Sequence, residues 1–476
     1  MKQIFFTILL SLFFGQNTHA QSAQELYREG TIFLNNKQPD KAIGKFNRAL
    51  ELDSSLIYVY LGRALSYMEL KNWNKAIDDF NRAFARENKN IDAMDRLFGV
   101  DELYSIEKML VGRGRCKFEL NDYKGAVTDY DLAAKINSRA VSPYYYKGVC
   151  LLHIGNYREA LTNFEKVQSV LPDKVLKDET QDEFADIWLH IGNCHRHLSD
   201  NNLALFYFDK AQKKSSNNPE VYFSLGNLKY NTKRWEEAIS DYSKALGFNP
   251  KHINSAYFRG LCFLEIKKYK EAVSDFDFLI KSEPENQLYH VTRGFIFSEQ
   301  GKFREALKDY NKAIELNPKD AATFIRRGHV FTEMAEYDKA YTDFTNAIAL
   351  DDKLKPYALN NRGNVKRLLK NYTSALEDIN ESIKSDSANA WAYLNKGLIY
   401  YDQNLYEKAL SEFNKSIRYN SLLPNAYFQR ANVFMMQKQY DKAVIDFNKI
   451  QELDADFKSR EIEKNRKIAI KNLVDN

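Results

Sequence analysis

Apolar and polar positions recur along the chain with a period of 34 residues. The segments AYFRGLCFLEIKKYKEAVSDFDFLIKSEP (256–284), HVTRGFIFSEQGKFREALKDYNKAIELNP (290–318) and FIRRGHVFTEMAEYDKAYTDFTNAIALDD (324–352) superpose at that spacing. The frame extends to twelve copies, starting at residues 23, 57, 107, 141, 185, 219, 253, 287, 321, 356, 390 and 424. It breaks by 16 residues after the second copy, by ten after the fourth and by one at Lys355. Self-similarity of this length marks a repeat architecture, in which each unit buries its apolar face only against its neighbours.

Each recurring column has a mechanical reading. The eighth position is Gly in ten copies and Ala in two, Ala64 and Ala431. Gly inside a helix costs about 1 kcal/mol against Ala, so the column predicts a second helix packed close. The twentieth position is Ala in all twelve copies, the matching small residue on that second helix. The twenty-fourth is aromatic in eleven, among them Phe46, Tyr130, Phe276 and Phe447, and is expected to fill the seam. All nine Pro fall at turns or in first helical turns, where the missing N–H is harmless.

These columns resemble the tetratricopeptide repeat family, with small residues at positions 8, 20 and 27 and aromatics between. The resemblance implies two antiparallel helices per repeat, stacked into an all-α solenoid superhelix with a concave groove. It divides the chain into a leader (1–20), repeats 1–2 (21–90), an insertion (91–106), repeats 3–4 (107–174), an insertion (175–184), repeats 5–12 (185–457) and a C-terminal capping helix (458–476).

The same resemblance implies which side chains line the groove: positions 2, 5, 9, 12 and 13 of each first helix. In copies seven to nine these include Tyr257, Leu261 and Glu265, then Val291, Phe295 and Glu299, then Ile325, His329 and Glu333. The expectation is an apolar floor beside a glutamate ladder, suited to a protein segment carrying apolar anchors and Lys or Arg. The plainer reading is a solvated helix end. A second apolar patch is expected around Trp391, Leu394, Tyr401, Phe428 and Met435. Some family members clamp C-terminal carboxylates. Asn193, Asn227, Asn364 and Asn395 fall in suitable columns here, but the matching Lys and Arg are missing, which argues against that ligand. A neutral glycan stacked on groove aromatics such as Tyr257 and Phe295 is the alternative.

Composition narrows the rest. With 44% apolar and 28% charged residues the chain is an ordinary folded protein. Its net charge of +5 is too small and too interspersed to argue for nucleic acid. Met1 and Lys2 precede the apolar run Ile4–Gly15 and a small-residue site ending at Ala20, which reads as an export signal and a periplasmic or secreted product. No later run approaches the roughly 18 residues of a membrane helix.

Three features could be chemistry. The seventh position is basic in nine copies and the twenty-third acidic in most, and nine copies carry opposite charges at the two, from Glu29 with Lys45 to Lys396 with Glu412. This predicts a half-exposed pair within each repeat, Arg63 with Asp79 for instance, worth about 0–1 kcal/mol. Cys116, Cys150, Cys194 and Cys262 all occupy the tenth position, which in seven other copies holds apolar residues such as Ile32 and Val330, so they read as small core hydrophobes. His190, Cys194 and His197 lie on one helical stripe at a spacing that could hold a metal, although the cysteine is already explained as core. No glycine-rich phosphate loop, GxSxG or HExxH occurs, so neither enzyme activity nor a cofactor is expected.

Overall fold

The structure, a computed structural model, describes residues 22–87, 106–171, 186–454 and 457–474. The export signal and the 175–184 insertion lie outside the described residues, as does the 91–106 insertion except Ile106, which heads a helix. The described residues are helical and fall into two compact units, one ending at Pro250 and the other starting at Lys251.

The first unit contains six helical hairpins. These are α1 (Ala23–Asn35) with α2 (Pro39–Leu52), α3 (Ile57–Glu69) with α4 (Trp73–Glu87), and α5 (Ile106–Glu119) with α6 (Tyr123–Ile136). They continue with α7 (Val141–Ile154) and α8 (Tyr157–Val170), α9 (Ile187–His197) and α10 (Asn201–Lys214), and α11 (Pro219–Asn231) and α12 (Trp235–Phe248). The second unit contains another six. Its first three are α13 (Ile253–Glu265) with α14 (Tyr269–Ser282), α15 (Gln287–Glu299) with α16 (Phe303–Leu316), and α17 (Ala321–Glu333) with α18 (Tyr337–Leu350). Next come α19 (Lys355–Leu368) with α20 (Tyr372–Ser385), α21 (Ala390–Asp402) with α22 (Tyr406–Tyr419), and α23 (Pro424–Met436) with α24 (Tyr440–Leu453). A last helix, α25 (Ser459–Val474), buries Ile462 and Ala469 but leaves Ile468, Ile470 and Leu473 exposed.

Every hairpin turns at the same residue. Position 15 is left-handed in all twelve copies, at φ 55–65° in ten and higher at Gly155 and Gly301. There the chain closes a 6→1 hydrogen bond, as from Lys268 N–H to the Phe263 carbonyl at 2.8 Å. Only two of the twelve are Gly, so ten copies carry the left-handed penalty. At Ala335 that penalty of about 1–2 kcal/mol exceeds the entropic cost of Gly. Ala335→Gly should therefore stabilise the second unit by about 0.5–1 kcal/mol, read as a higher urea midpoint.

The glycine column makes room for a ring rather than for a helix backbone. A Cβ on Gly226 would lie 2.5 Å from the Tyr242 ring, and one on Gly397 would lie 2.5 Å from Phe413. The position-24 aromatic thus packs against the bare backbone at position 8. Where the eighth residue is Ala64, the Phe80 ring is received by Gly112 of the next copy instead, whose added Cβ would come within 2.7 Å.

The charged columns pair, but not as surface pairs. Arg63, Arg113, Arg259, Arg293, Arg327, Arg362 and Arg430 each grip the aspartate 16 residues later through Nε and Nη2 at 2.6–2.9 Å. Those aspartates are buried, so the expectation of a half-exposed pair is corrected. The remaining nitrogen, Nη1, reaches position 25 of the preceding copy: Arg63 to Asn47, Arg327 to Asn311 and Arg430 to Asn414 at 2.6–2.7 Å. One guanidinium therefore ties its own hairpin together and fastens it to the one before. The first copy reverses the signs, Lys45 meeting Glu29 at 2.5 Å. The eleventh breaks the rule, because Glu412 pairs with Lys415 of its own helix and not with Lys396.

The four cysteines are free and buried, and burial pushes their thiols up to about 12. The tenth column is otherwise core, except that Ile32 in the first copy is 59% exposed.

Candidate functional site

In the second unit the first helices α13, α15 and α17 place Glu265, Glu299 and Glu333 at their C-terminal ends, all exposed. Among the described residues none of the three has an ion-pair partner, in contrast to the saturated charges between helices. Elsewhere in the same column Glu69 meets Lys37 at 3.4 Å and Asp402 meets Arg367 at 2.6 Å. Among the described residues the column is therefore exposed and without ion pairs in copies three and seven to nine, and paired in copies two and eleven.

The apolar floor is less open than expected. Tyr257 is half-buried against the rings of Phe276 and Tyr289. Val291 and Ile325 pack into the core between hairpins. Phe295 lies beneath the Arg326 guanidinium, 5.5 Å from the ring centre, and Leu261 is half-buried. Leu288 on α15 is the apolar side chain that stands clear, 50% exposed.

The second apolar patch does not form as a surface. Leu394 and Phe428 are 3% and 2% exposed, each sealed into the core of its hairpin, and Tyr401 and Met435 are partly buried. Trp391 alone of that set is exposed, and it belongs to a different feature.

That feature is a cavity of about 390 Å³ lined from α17, α19 and α21. His329, Thr332 and Glu333 form one wall, with Phe344 of α18 behind them. Tyr357, Asn360, Asn361 and Asn364 form the floor, and Trp391 and Asn395 close the far side. The Asn395 amide donates to the Asn360 carbonyl oxygen at 2.9 Å. Asn361 lies 3.3 Å from His329 Nε2, an arrangement that suits a neutral imidazole. His329 is open to water yet walled by protein, and that desolvation, with Arg326 nearby, lowers its pKa. The groove candidates His329 and Glu333 and the patch candidate Trp391 thus meet in one place. Asn364 and Asn395, which stand in the columns of the family's carboxylate clamp, both line this cavity.

The histidine stripe does not converge. His190 is enclosed by Phe164, stacked at 5.3 Å, and by the Tyr145 hydroxyl at 3.3 Å, and burial lowers its pKa to about 4. His197 stacks on Tyr157 at 4.0 Å, and the Cys194 thiol is buried. Among the described residues no cluster of three His, Cys, Asp or Glu side chains could hold a metal ion. The first unit has a cavity of about 710 Å³, where Leu65, Met68 and Trp73 meet Arg115 and Glu119.

Hairpins that repeat a ring-on-glycine seam and a left-handed turn define an all-α repeat protein of the solenoid class. Tetratricopeptide repeat models match residues 58–86, 289–320 and 394–456, and a model of anaphase-promoting complex, cyclosome, subunit 3 matches 196–278. Tetratricopeptide repeats are thus recognised in three separate stretches, which supports a protein built from such repeats. It is 26% identical over 145 residues to tetratricopeptide repeat protein 16 of Mus musculus, covering 30% of this chain and 18% of that protein. It is 22% identical over 256 residues to the Homo sapiens protein of the same name, covering 51% of this chain and 27% of that one. The matched stretches thus span well under half of those relatives. The crystal structure of yeast Tom70 aligns over 95% of this chain and 96% of that one, at 18% identity and a TM-score of 0.45. Among the described residues no helix is long and apolar enough to cross a membrane.

Proposed function

We propose that the chain is a non-catalytic scaffold for protein–protein contacts, working outside the cytoplasm in a periplasm or as a secreted protein. It takes a basic, apolar-anchored segment of a partner along α13, α15 and α17. The observation that carries this reading is the column Glu265, Glu299 and Glu333, exposed and without ion-pair partners among the described residues on three successive first helices, where most of the charges between helices are paired. The family supports it in general terms, since stacked repeats of this kind present extended binding surfaces. Export rests on residues 1–20 and is tested by sequencing the N-terminus of the mature protein, which should begin at Gln21.

Photo-crosslinking in the native host tests the contact. A photoreactive residue at Leu288 should give discrete protein adducts, and one at the exposed Lys308 of α16 should not. The partner so captured should bind the purified chain about tenfold more weakly after Glu265→Gln with Glu299→Gln, and raising salt should give a similar loss. Adducts at both positions alike, or affinity indifferent to both charge and salt, would remove the proposal.

A further inference from the structure

From the amides and open rings of the cavity between α17, α19 and α21 we infer a binding site for a neutral, N-acetylated sugar. Its volume of about 390 Å³ falls within the range of small-ligand sites, about 300–1,000 Å³, but its lining differs from the usual apolar one. Four asparagines line it, and Glu333 is its single carboxylate. No cation is present in the lining to neutralise a carboxylate or phosphate, so an anionic ligand is disfavoured.

The Asn360–Asn395 bond uses one oxygen and one amide hydrogen. Whichever way the two amides are turned, an acceptor oxygen on one and a donor group on the other remain. That pair is complementary to an acetamido group, whose N–H donates and whose carbonyl accepts. Trp391, 45% exposed, and Tyr357, 53% exposed, supply flat apolar faces for the sugar ring and its acetyl methyl.

A peptide strand also offers amides, but it would need amides continuing along the unit. The equivalent fifth and ninth positions in copies seven to nine are Tyr257, Leu261, Val291, Phe295, Ile325 and His329. The amide cluster is confined to α19 and α21, which suits a compact ligand. The expected platforms Tyr257 and Phe295 are already occupied by protein, so the sugar site lies further along, in copies nine to eleven.

Calorimetry of the full chain with N,N′,N″-triacetylchitotriose, and with maltotriose as the control lacking acetamido groups, tests the inference. Saturable binding of the first is expected, about tenfold or more tighter than the second. Trp391→Ala, at an exposed position, should weaken it by about tenfold with the helical circular dichroism unchanged, and Asn361→Ala should weaken it as well. Absence of saturable heat, equal binding of maltotriose, or full binding by Trp391→Ala would overturn the assignment. Displacement of the sugar by N-acetyl-tetraalanine amide at lower concentration would also overturn it, in favour of a peptide site. Glu265 and Glu299 lie outside the cavity, so their Gln variants should bind the sugar normally, and failure of one proposal leaves the other standing.

Discussion

Replacing Arg430 by Met is expected to destabilise the second unit by about 3–5 kcal/mol. The substitution keeps most of the aliphatic stem but strands the Asp446 carboxylate, which is 1% exposed and receives two guanidinium hydrogen bonds at 2.8 and 2.6 Å. It also frees Asn414 on the preceding hairpin. Burial already raises the pKa of Asp446, with the Arg430 hydrogen bond opposing that rise. A carboxylate raised in the fold favours its protonated form there, so its charge costs stability as pH climbs from the unfolded pKa through the folded one. Removing Arg430 raises it further, so the deficit should be full at pH 7 and shrink on acidification. Urea unfolding at pH 7 and again at acidic pH measures this. Adding Asp446→Leu should recover most of the loss at neutral pH, because an apolar pair can replace a buried ion pair at little cost. A deficit independent of pH and unrescued by Leu would mean that packing, not the stranded charge, sets the effect.

Phe413→Ala should cost a similar amount, about 3–5 kcal/mol, since the ring is fully buried and sits on the backbone of Gly397. Its partner variant carries the sharper prediction. In the native protein Gly397→Ala forces a Cβ to within 2.5–2.6 Å of that ring and should destabilise by about 1–3 kcal/mol. In the Phe413→Ala background the clash is gone, and the same change should instead stabilise by about 1 kcal/mol through helix propensity. A double-mutant cycle in urea reads the reversal directly. Two effects that simply add would show that the glycine is there for some reason other than the ring.

Much of this was legible in the residues. The frame, the small columns and, outside the eleventh copy, the pairing of positions 7 and 23 survive, because each is a single column repeated often enough to expose its constraint. Three things were hidden. The left-handed turn at position 15 is filled by Lys, Asn, Ser, Ala and Gly alike, so no residue type announces it. The Nη1 bond of six of these arginines joins two copies, and its acceptor column mixes Asn, Asp and Thr. The asparagines of the cavity come from three different positions of two copies, so no single column points to their cluster. The expected C-terminal patch failed for a related reason. Leu394 and Phe428 occupy the fifth position, where a large side chain is drawn into the core of the stack. Apolar character at that column reports packing, not a contact surface.

The buried thiols give the molecule a set of internal clocks. A cysteine with its pKa near 12 and no route to solvent is alkylated only while its surroundings are open. Cys116, Cys150 and Cys194 time three successive hairpins of the first unit, and Cys262 times the opening hairpin of the second. Pulsed labelling of the unaltered protein would rank how often each of these hairpins breathes, with no probe introduced and no residue changed.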